Sequence, residues 1–172
     1  MNQTDENKRL IERYPFLALY DRTGKPLDGY DYTWLDDMPD GWRTAFGEQM
    51  CEEIKDELLK FSYEDDTWLN HYRIVQIKEK YGALRWYDNG YPSGSKIPDI
   101  ISKYETISET TCITCGKPAQ YLSTGWISPY CRECAQEIVD GLNQAHGVQG
   151  TVESEFVKLG DFDENWYEKL WD

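Results

Sequence analysis

The chain has 172 residues, of which 40% are hydrophobic and 15% aromatic, and its formal net charge is −14. Seven Trp and thirteen Tyr are too many for a disordered chain, and a chain of this length buries roughly 70% of its unfolded surface. No apolar run approaches the roughly 18 residues of a membrane span, and the polar N-terminus MNQTDENKRL has no signal-peptide pattern. We therefore expect a soluble, cytoplasmic protein that forms one domain, or one domain with an appendage, and has no membrane contact.

The negative charge is concentrated at the two ends of the chain. The net charge is −9 in residues 1–70, +2 in residues 71–134 and −7 in residues 135–172. An acidic protein is repelled by phosphate backbones and is attracted to basic protein surfaces. The charge therefore disfavours nucleic acid as a partner and favours a protein, although solubility alone also explains an acidic surface.

The first 108 residues predict a body of helices and one hairpin. A short helix is predicted over residues 5–13, and the clearest helix spans about residues 40–61. Its buried face is marked by apolar residues at three- and four-residue steps: Trp42, Phe46, Met50, Ile54, Leu58 and Phe61. Cys51 lies beside this stripe, where a lone Cys is usually a small buried hydrophobe.

An antiparallel hairpin is predicted over about residues 72–88, with its turn at Lys80-Tyr81-Gly82. A further short helix is predicted over residues 98–108. The predicted fold class is therefore α+β, with helices and a small antiparallel sheet.

Four of the five cysteines form two Cys-x-x-Cys pairs, Cys112/Cys115 and Cys131/Cys134. Structural zinc is commonly bound by four thiolates in a tetrahedron, and each pair puts two sulfurs on one tight turn. In a cytoplasmic protein such pairs favour a metal over disulfides. We therefore predict one structural Zn²⁺ bound by these four cysteines; a redox dithiol or a cytosolic disulfide is the alternative.

The residues around the pairs predict a treble-clef-like finger over residues 109–147. Gly116 provides the permissive backbone that a metal-binding knuckle needs, and residues 121–127 are typical of a small hairpin. Helical spacing after the second pair places Cys131 and Cys134 at a helix entry. Residues 148–172 are predicted to be an acidic C-terminal segment. Trp166, Leu170 and Trp171 would give its last helix an apolar side, which either docks on the body or binds a partner.

The cysteine set argues against a catalytic metal. A catalytic zinc usually has three protein ligands and an open position, whereas four cysteines close the shell. The deaminase pattern is missing, and the His of metal-dependent nucleases is missing too, because His71 and His146 both lie outside residues 116–134. We therefore expect a protein that is not an enzyme.

Two stretches, IKEKYGALRWY at residues 77–87 and CITCGKP at residues 112–118, resemble a group of small phage and bacterial zinc-finger proteins. Their pattern is a Lys-Phe/Tyr-Gly-x-Leu-Arg-Phe/Trp-Tyr stretch followed some 25 residues later by Cys-x-x-Cys-Gly-x-Pro. The usual last ligands of that group are a Cys and a downstream His, and this chain departs from them with Cys131 and Cys134. The resemblance covers about residues 72–140 and implies zinc and an origin in a phage or mobile element, but no activity.

The basic and aromatic hairpin is a candidate partner-binding surface, formed by Lys80, Tyr81, Arg85, Trp86 and Tyr87. The alternative, which we favour, is that Leu84, Trp86 and Ile77 are core and that the charges lie on solvated strand faces. The function predicted from the sequence is binding of a protein partner, for example inhibition of a host or defence factor by an acidic protein. The alternative function is that of a nucleic-acid-binding accessory protein that uses the hairpin and the finger.

Overall fold

A computed structural model of the chain describes residues 3–21, 23–25, 27, 30–62 and 67–161. It shows the predicted α+β class, with helices, a two-stranded sheet and a three-stranded sheet, both antiparallel. The helices are α1 (Gln3–Arg13), α2 (Asp40–Trp42), α3 (Glu48–Leu59), α4 (Ile97–Glu109), α5 (Arg132–His146) and α6 (Val152–Glu155). The strands are β1 (Ile74–Lys80), β2 (Ala83–Asp88), β3 (Tyr121–Ser123), β4 (Pro129–Tyr130) and β5 (Phe156–Lys158).

The predicted last helix with Trp166, Leu170 and Trp171 lies outside the described residues. Within the described ranges, every helix is too short or too polar to cross a membrane.

The apolar stripe predicted for residues 40–61 is buried along one helical run. Its members at steps of four residues are all 5% exposed or less: Trp42, Phe46, Met50, Ile54 and Leu58. Steps of four residues drift around a helix of 3.6 residues per turn. Between α2 and α3 the residues Arg43–Gly47 form a wider π-helical turn, which takes up part of this drift and keeps the stripe on one side.

The hairpin of β1 and β2 packs its inner face against α4. A two-residue turn, Tyr81-Gly82, joins the strands, and both residues have positive φ angles, 54° and 78°. Such φ angles are required by the type I′ turn, whose twist matches the flanking strands. On the inner face Leu84 is fully buried, and its N–H donates to Ser108 Oγ on α4 at 2.8 Å.

A second buried cluster joins the finger to the segment that follows it. It contains Tyr121, Ala135, Val139, Val152 and Phe156. Strand β5 pairs with β3, so that residues 156–158 add a third strand to the finger hairpin. The sequence predicted only an acidic segment here, because a three-residue strand is too short to show alternation. The predicted boundary between residues 147 and 148 stays a prediction.

The finger is attached to the body by a contact between two backbones. The N–H of Gly41 in α2 donates to Ile113 O at 2.9 Å, and Trp42 Nε1 donates to Thr111 O at 2.8 Å. A Cβ atom on Gly41 would lie only 2.2 Å from Cys112 O. The knuckle therefore sits against the helix at a distance that only glycine allows.

The first prediction concerns this close contact. Gly41→Ala should lower the free energy of unfolding by about 1–3 kcal/mol, because the added methyl group forces two backbone segments apart. The measurement is chemical denaturation of the purified protein beside the wild type. Gly47→Ala is the matched control, since its Cβ would meet its nearest neighbour, Met38 Sδ, at an ordinary 3.4 Å. Equal stability of the two variants would show that the finger does not depend on this contact.

Candidate metal centre

The structure brings the four predicted ligands together. The Sγ atoms of Cys112, Cys115, Cys131 and Cys134 all lie within 4.8 Å of one another. A zinc ion with tetrahedral Zn–S bonds of about 2.3 Å holds its sulfurs about 3.8 Å apart. The Sγ atoms of Cys115 and Cys131, 3.6 Å apart, already match that spacing. All four cysteines are free thiols, so the cluster can hold a metal ion.

The first pair sits on a knuckle whose backbone surrounds the sulfur of Cys112. The N–H of Gly116 donates to Cys112 O at 3.0 Å, and the φ of Gly116 is 77°, in the left-handed region. Burial raises the pKa of the Cys112 thiol, but backbone N–H groups of Cys131, Cys115 and Thr114 oppose it and bring the pKa to about 7. Hydrogen bonds from N–H groups favour the thiolate, which is the form that binds metal.

The second pair lies at the start of α5, as the helical spacing predicted. Cys131 is the N-cap residue, and its Sγ accepts the N–H of Cys134 at 3.5 Å. The N-terminus of a helix carries a partial positive charge, which favours anionic sulfur. Burial raises the pKa values of Cys131 and Cys134, so a metal ion binding there displaces protons from these thiols.

One ion pair borders the thiol cluster. Lys117 Nζ lies 2.9 Å from Glu133 Oε2, and Glu133 Oε2 lies 3.6 Å from Cys131 Sγ. Hydrogen bonding to Lys117 lowers the pKa of Glu133, so this carboxylate is ionised and engaged. Among the described residues neither His71 nor His146 joins the metal-binding group. The arrangement provides four sulfur ligands with an ion pair at the rim.

The end of the spacer that precedes the second pair is held from two sides. On one side, the N–H of Ile113 in the knuckle donates to Pro129 O at 2.9 Å. On the other, a Cβ on Gly82 in the hairpin turn would lie 3.3 Å from Ile127 Cγ2 and 3.7 Å from Pro129 Cδ. Residues 127–129 are therefore packed between the knuckle and the turn of the β1–β2 hairpin.

The predicted partner-binding residues of the hairpin do not share one surface. Tyr81 and Tyr87 are 60% and 43% exposed, whereas Trp86 is only 5% exposed. Trp86 Nε1 donates to the buried Tyr72 hydroxyl at 2.9 Å. Trp86 is thus a core residue, in agreement with the interpretation favoured from the sequence for Leu84, Trp86 and Ile77.

The charged members of the predicted set have local partners. Arg85 lies 4.0 Å from Glu105, and Lys80 Nζ lies 5.3 Å from the centroid of the Tyr81 ring. A partner-binding role for Lys80, Tyr81, Arg85, Trp86 and Tyr87 remains a prediction.

Two residues near the site could not be found from the sequence. Trp126 is the most exposed large apolar side chain among the described residues, at 73%, and its Nε1 donates to Glu79 Oε2 at 2.7 Å. The sequence placed Trp126 in the finger hairpin, but a hairpin pattern does not say which aromatic ring is left in solvent. Its partner Glu79 is 47 residues away in the chain.

The chain was compared with known proteins by family, by sequence and by structure. No protein-family model, no curated protein and no solved structure matches it.

The second prediction is the metal content. The purified protein should contain one metal ion per chain, and Cys115→Ser should lower this content sharply because the tetrahedron loses a sulfur ligand. Elemental analysis measures the ion, and the visible spectrum of the cobalt-substituted protein reports tetrahedral thiolate binding. Cys51→Ala is the matched control, since Cys51 is buried in the body outside the cluster and should keep the full metal content. A metal-free wild-type protein would contradict the assignment.

Proposed function

We propose that the protein is a zinc-binding, non-enzymatic protein that acts by binding a protein partner. The observation that carries the proposal is the approach of four cysteine sulfurs to within 4.8 Å. Among common metals, zinc takes a tetrahedron of four thiolates, and such sites are usually structural. The metal then has a structural role, which is to fix the position of the surface that binds the partner.

The proposal includes a treble-clef-type finger. Its support is the order of elements: a knuckle with the first pair, the β3–β4 hairpin, and helix α5 with the second pair in its first turn. This order agrees with the resemblance to small phage and bacterial zinc-finger proteins. We therefore infer an origin in a phage or mobile element and an action in the cytoplasm of the host cell.

The four-cysteine site supports a structural and not a catalytic role for the metal. A ligand shell of four thiolates leaves no position for a water or substrate, and Glu133 is engaged by Lys117. Replacing a ligand of a structural metal unfolds the surrounding segment. Replacing a ligand of a catalytic metal removes an activity and leaves the fold largely intact. This difference separates the two roles by experiment.

A protein partner is favoured by charge. With a net charge of −14, the chain attracts basic surfaces and repels phosphate backbones. An acidic protein of this kind can inhibit a host or defence factor by presenting carboxylates where that factor binds phosphates.

One observation favours nucleic acid as the second candidate. Lys78 and Arg85 are cross-strand partners in the hairpin, and the Lys78 ammonium lies 5.1 Å from the ring centroid of the half-exposed Tyr87. Two cations beside an aromatic ring are the elements of a single-strand binding surface.

The third prediction tests whether the metal holds the fold. Removing the metal with a chelator should expose the amides of residues 112–146 to hydrogen exchange. In isolated finger peptides the free energy of zinc binding, roughly 10–16 kcal/mol, drives folding, so the metal-free finger should unfold. The body should stay protected, since its core of α1, α3, α4, β1 and β2 contains no metal ligand. Hydrogen exchange followed by mass spectrometry, with and without chelator, measures both regions. Unchanged protection of residues 112–146 in the metal-free protein would contradict a structural role for the metal and would favour a catalytic one.

The binding function itself is tested by affinity capture with the metal-loaded protein as bait, identifying both proteins and nucleic acids. Cys134→Ser is the matched bait without the metal site. A partner protein that binds the wild type and is lost with the variant supports the proposal; nucleic acid alone in both captures contradicts it.

The fourth prediction concerns DNA directly. Duplex DNA should bind weakly at physiological salt, because the whole-protein charge opposes contact with phosphates. The measurement is a titration at several salt concentrations, with Lys80→Ala and Arg85→Ala beside the wild type. Tight, salt-sensitive binding that both substitutions abolish would make nucleic acid the first candidate.

A further inference from the structure

The tip of the finger hairpin exposes an aromatic ring beside the turn of the body hairpin. Trp126 is 73% exposed and Tyr81 is 60% exposed. An indole in solvent is unfavourable for a monomer, and Trp and Tyr are the side chains that most often dominate the binding energy of interfaces. Trp126 and Tyr81 lie 45 positions apart in the chain, so the fold rather than the local sequence brings their two turns to one carboxylate, Glu79.

One carboxylate links the two turns. Glu79 Oε1 accepts the N–H of Gly82 at 2.7 Å, and Glu79 Oε2 accepts Trp126 Nε1 at 2.7 Å. The indole is therefore held by its N–H while its ring remains in solvent. A side chain that is fixed before binding loses less conformational entropy when a partner arrives.

The position of this ring depends on the metal centre. Trp126 precedes Ile127, which packs on Gly82, and Pro129, whose carbonyl accepts the N–H of Ile113 in the knuckle. The knuckle carries Cys112 and Cys115. The knuckle thus holds one end of the segment that presents Trp126, and the Glu79 carboxylate holds the indole itself.

The chemistry of the exposed groups selects a cationic ligand. The face of an indole attracts Arg and Lys side chains, and an adjacent carboxylate adds a charged acceptor. Lys80 over the Tyr81 ring is an internal example of this contact. Within the described part of the chain, no Lys or Arg lies over the Trp126 ring.

We propose that Trp126 and Glu79, beside the Tyr81-Gly82 turn, form a binding surface for a protein segment that presents Arg or Lys side chains. This surface is called the two-turn surface below. The inference rests on the proposed function, since it names the kind of partner and the place where it binds. A net charge of −14 attracts such a segment from a distance, and Trp126 and Glu79 receive its side chains.

Single-stranded nucleic acid is the competing occupant, because bases also stack on Trp and Tyr. Glu79 lies directly against the indole, where its charge repels the phosphates that would accompany a stacked base. The geometry therefore favours the basic protein segment over the nucleic acid.

The fifth prediction tests the two-turn surface with a defined probe. The probe is a blocked peptide of sequence Gly-Arg-Gly-Arg-Gly-Arg, used at physiological salt against metal-loaded protein labelled with 5-fluorotryptophan. The Trp126 resonance, assigned by its loss in Trp126→Phe, should shift saturably and more than the other six. Affinity for a fluorescent form of the peptide, measured by anisotropy, should fall about tenfold in Trp126→Ala and in Glu79→Gln.

The controls separate this surface from general attraction to an acidic protein. Tyr87→Ala, at an exposed ring of the same hairpin, should leave the affinity unchanged, and the peptide with Glu in place of Arg should not shift Trp126. An unmoved Trp126 resonance, equal affinity in Trp126→Ala, or a shift caused by oligothymidine but not by the peptide would overturn the inference. If the same samples carry their metal and keep residues 112–146 protected, such a result leaves the metal-stabilised fold of the proposed function standing.

Discussion

The convergence of four thiols within 4.8 Å is the constraint on which the C-terminal half of the chain depends. Four anionic sulfurs at that distance repel one another unless a cation lies between them. The backbone reduces this cost only in part, through N–H groups aimed at Cys112 and through the N-terminus of α5 at Cys131 and Cys134. A metal ion bound at the cluster would supply the rest, and folding of the finger would then be coupled to metal binding.

The body of the protein limits where this finger can sit. Gly41 and Gly116 meet backbone to backbone, and a Cβ on Gly116 would lie 2.6 Å from Gly41 O. On the opposite side, Gly82 allows the turn of the β1–β2 hairpin to approach Ile127. Three glycines from separate parts of the chain thus provide the close approaches that hold the finger on the body. Packed contacts of this kind have little freedom to slide, so a metal ion bound at the cluster would fix the position of the whole finger and not only its internal shape.

The sequence was informative wherever a local pattern has one physical meaning. The four-residue steps from Trp42 to Leu58 predicted a buried helical face, the two Cys pairs predicted the ligand cluster, and helical spacing placed Cys131 at a helix entry. Features set by distant segments were not predictable. The contact of Gly41 with the knuckle, the bond from Trp126 to Glu79 and the pairing of β5 with β3 each join residues more than 30 positions apart. The π-helical turn at Arg43–Gly47 was missed because its residues fit an ordinary helix equally well.

The size of the body core indicates which part of the protein a bound metal would stabilise. Among the described residues, nineteen between Leu10 and Tyr104 form one buried cluster that includes none of the four candidate ligands. A core of this size does not need a metal for its own stability, in contrast to isolated fingers. Among the described residues the finger has a small cluster around Tyr121 and Val139, so a bound metal would support an added module and not the domain as a whole. What this module contributes to the body is a rigid hairpin whose tip places Trp126 beside the Tyr81-Gly82 turn. A metal ion bound at the four cysteines would then help this exposed indole to keep a fixed position.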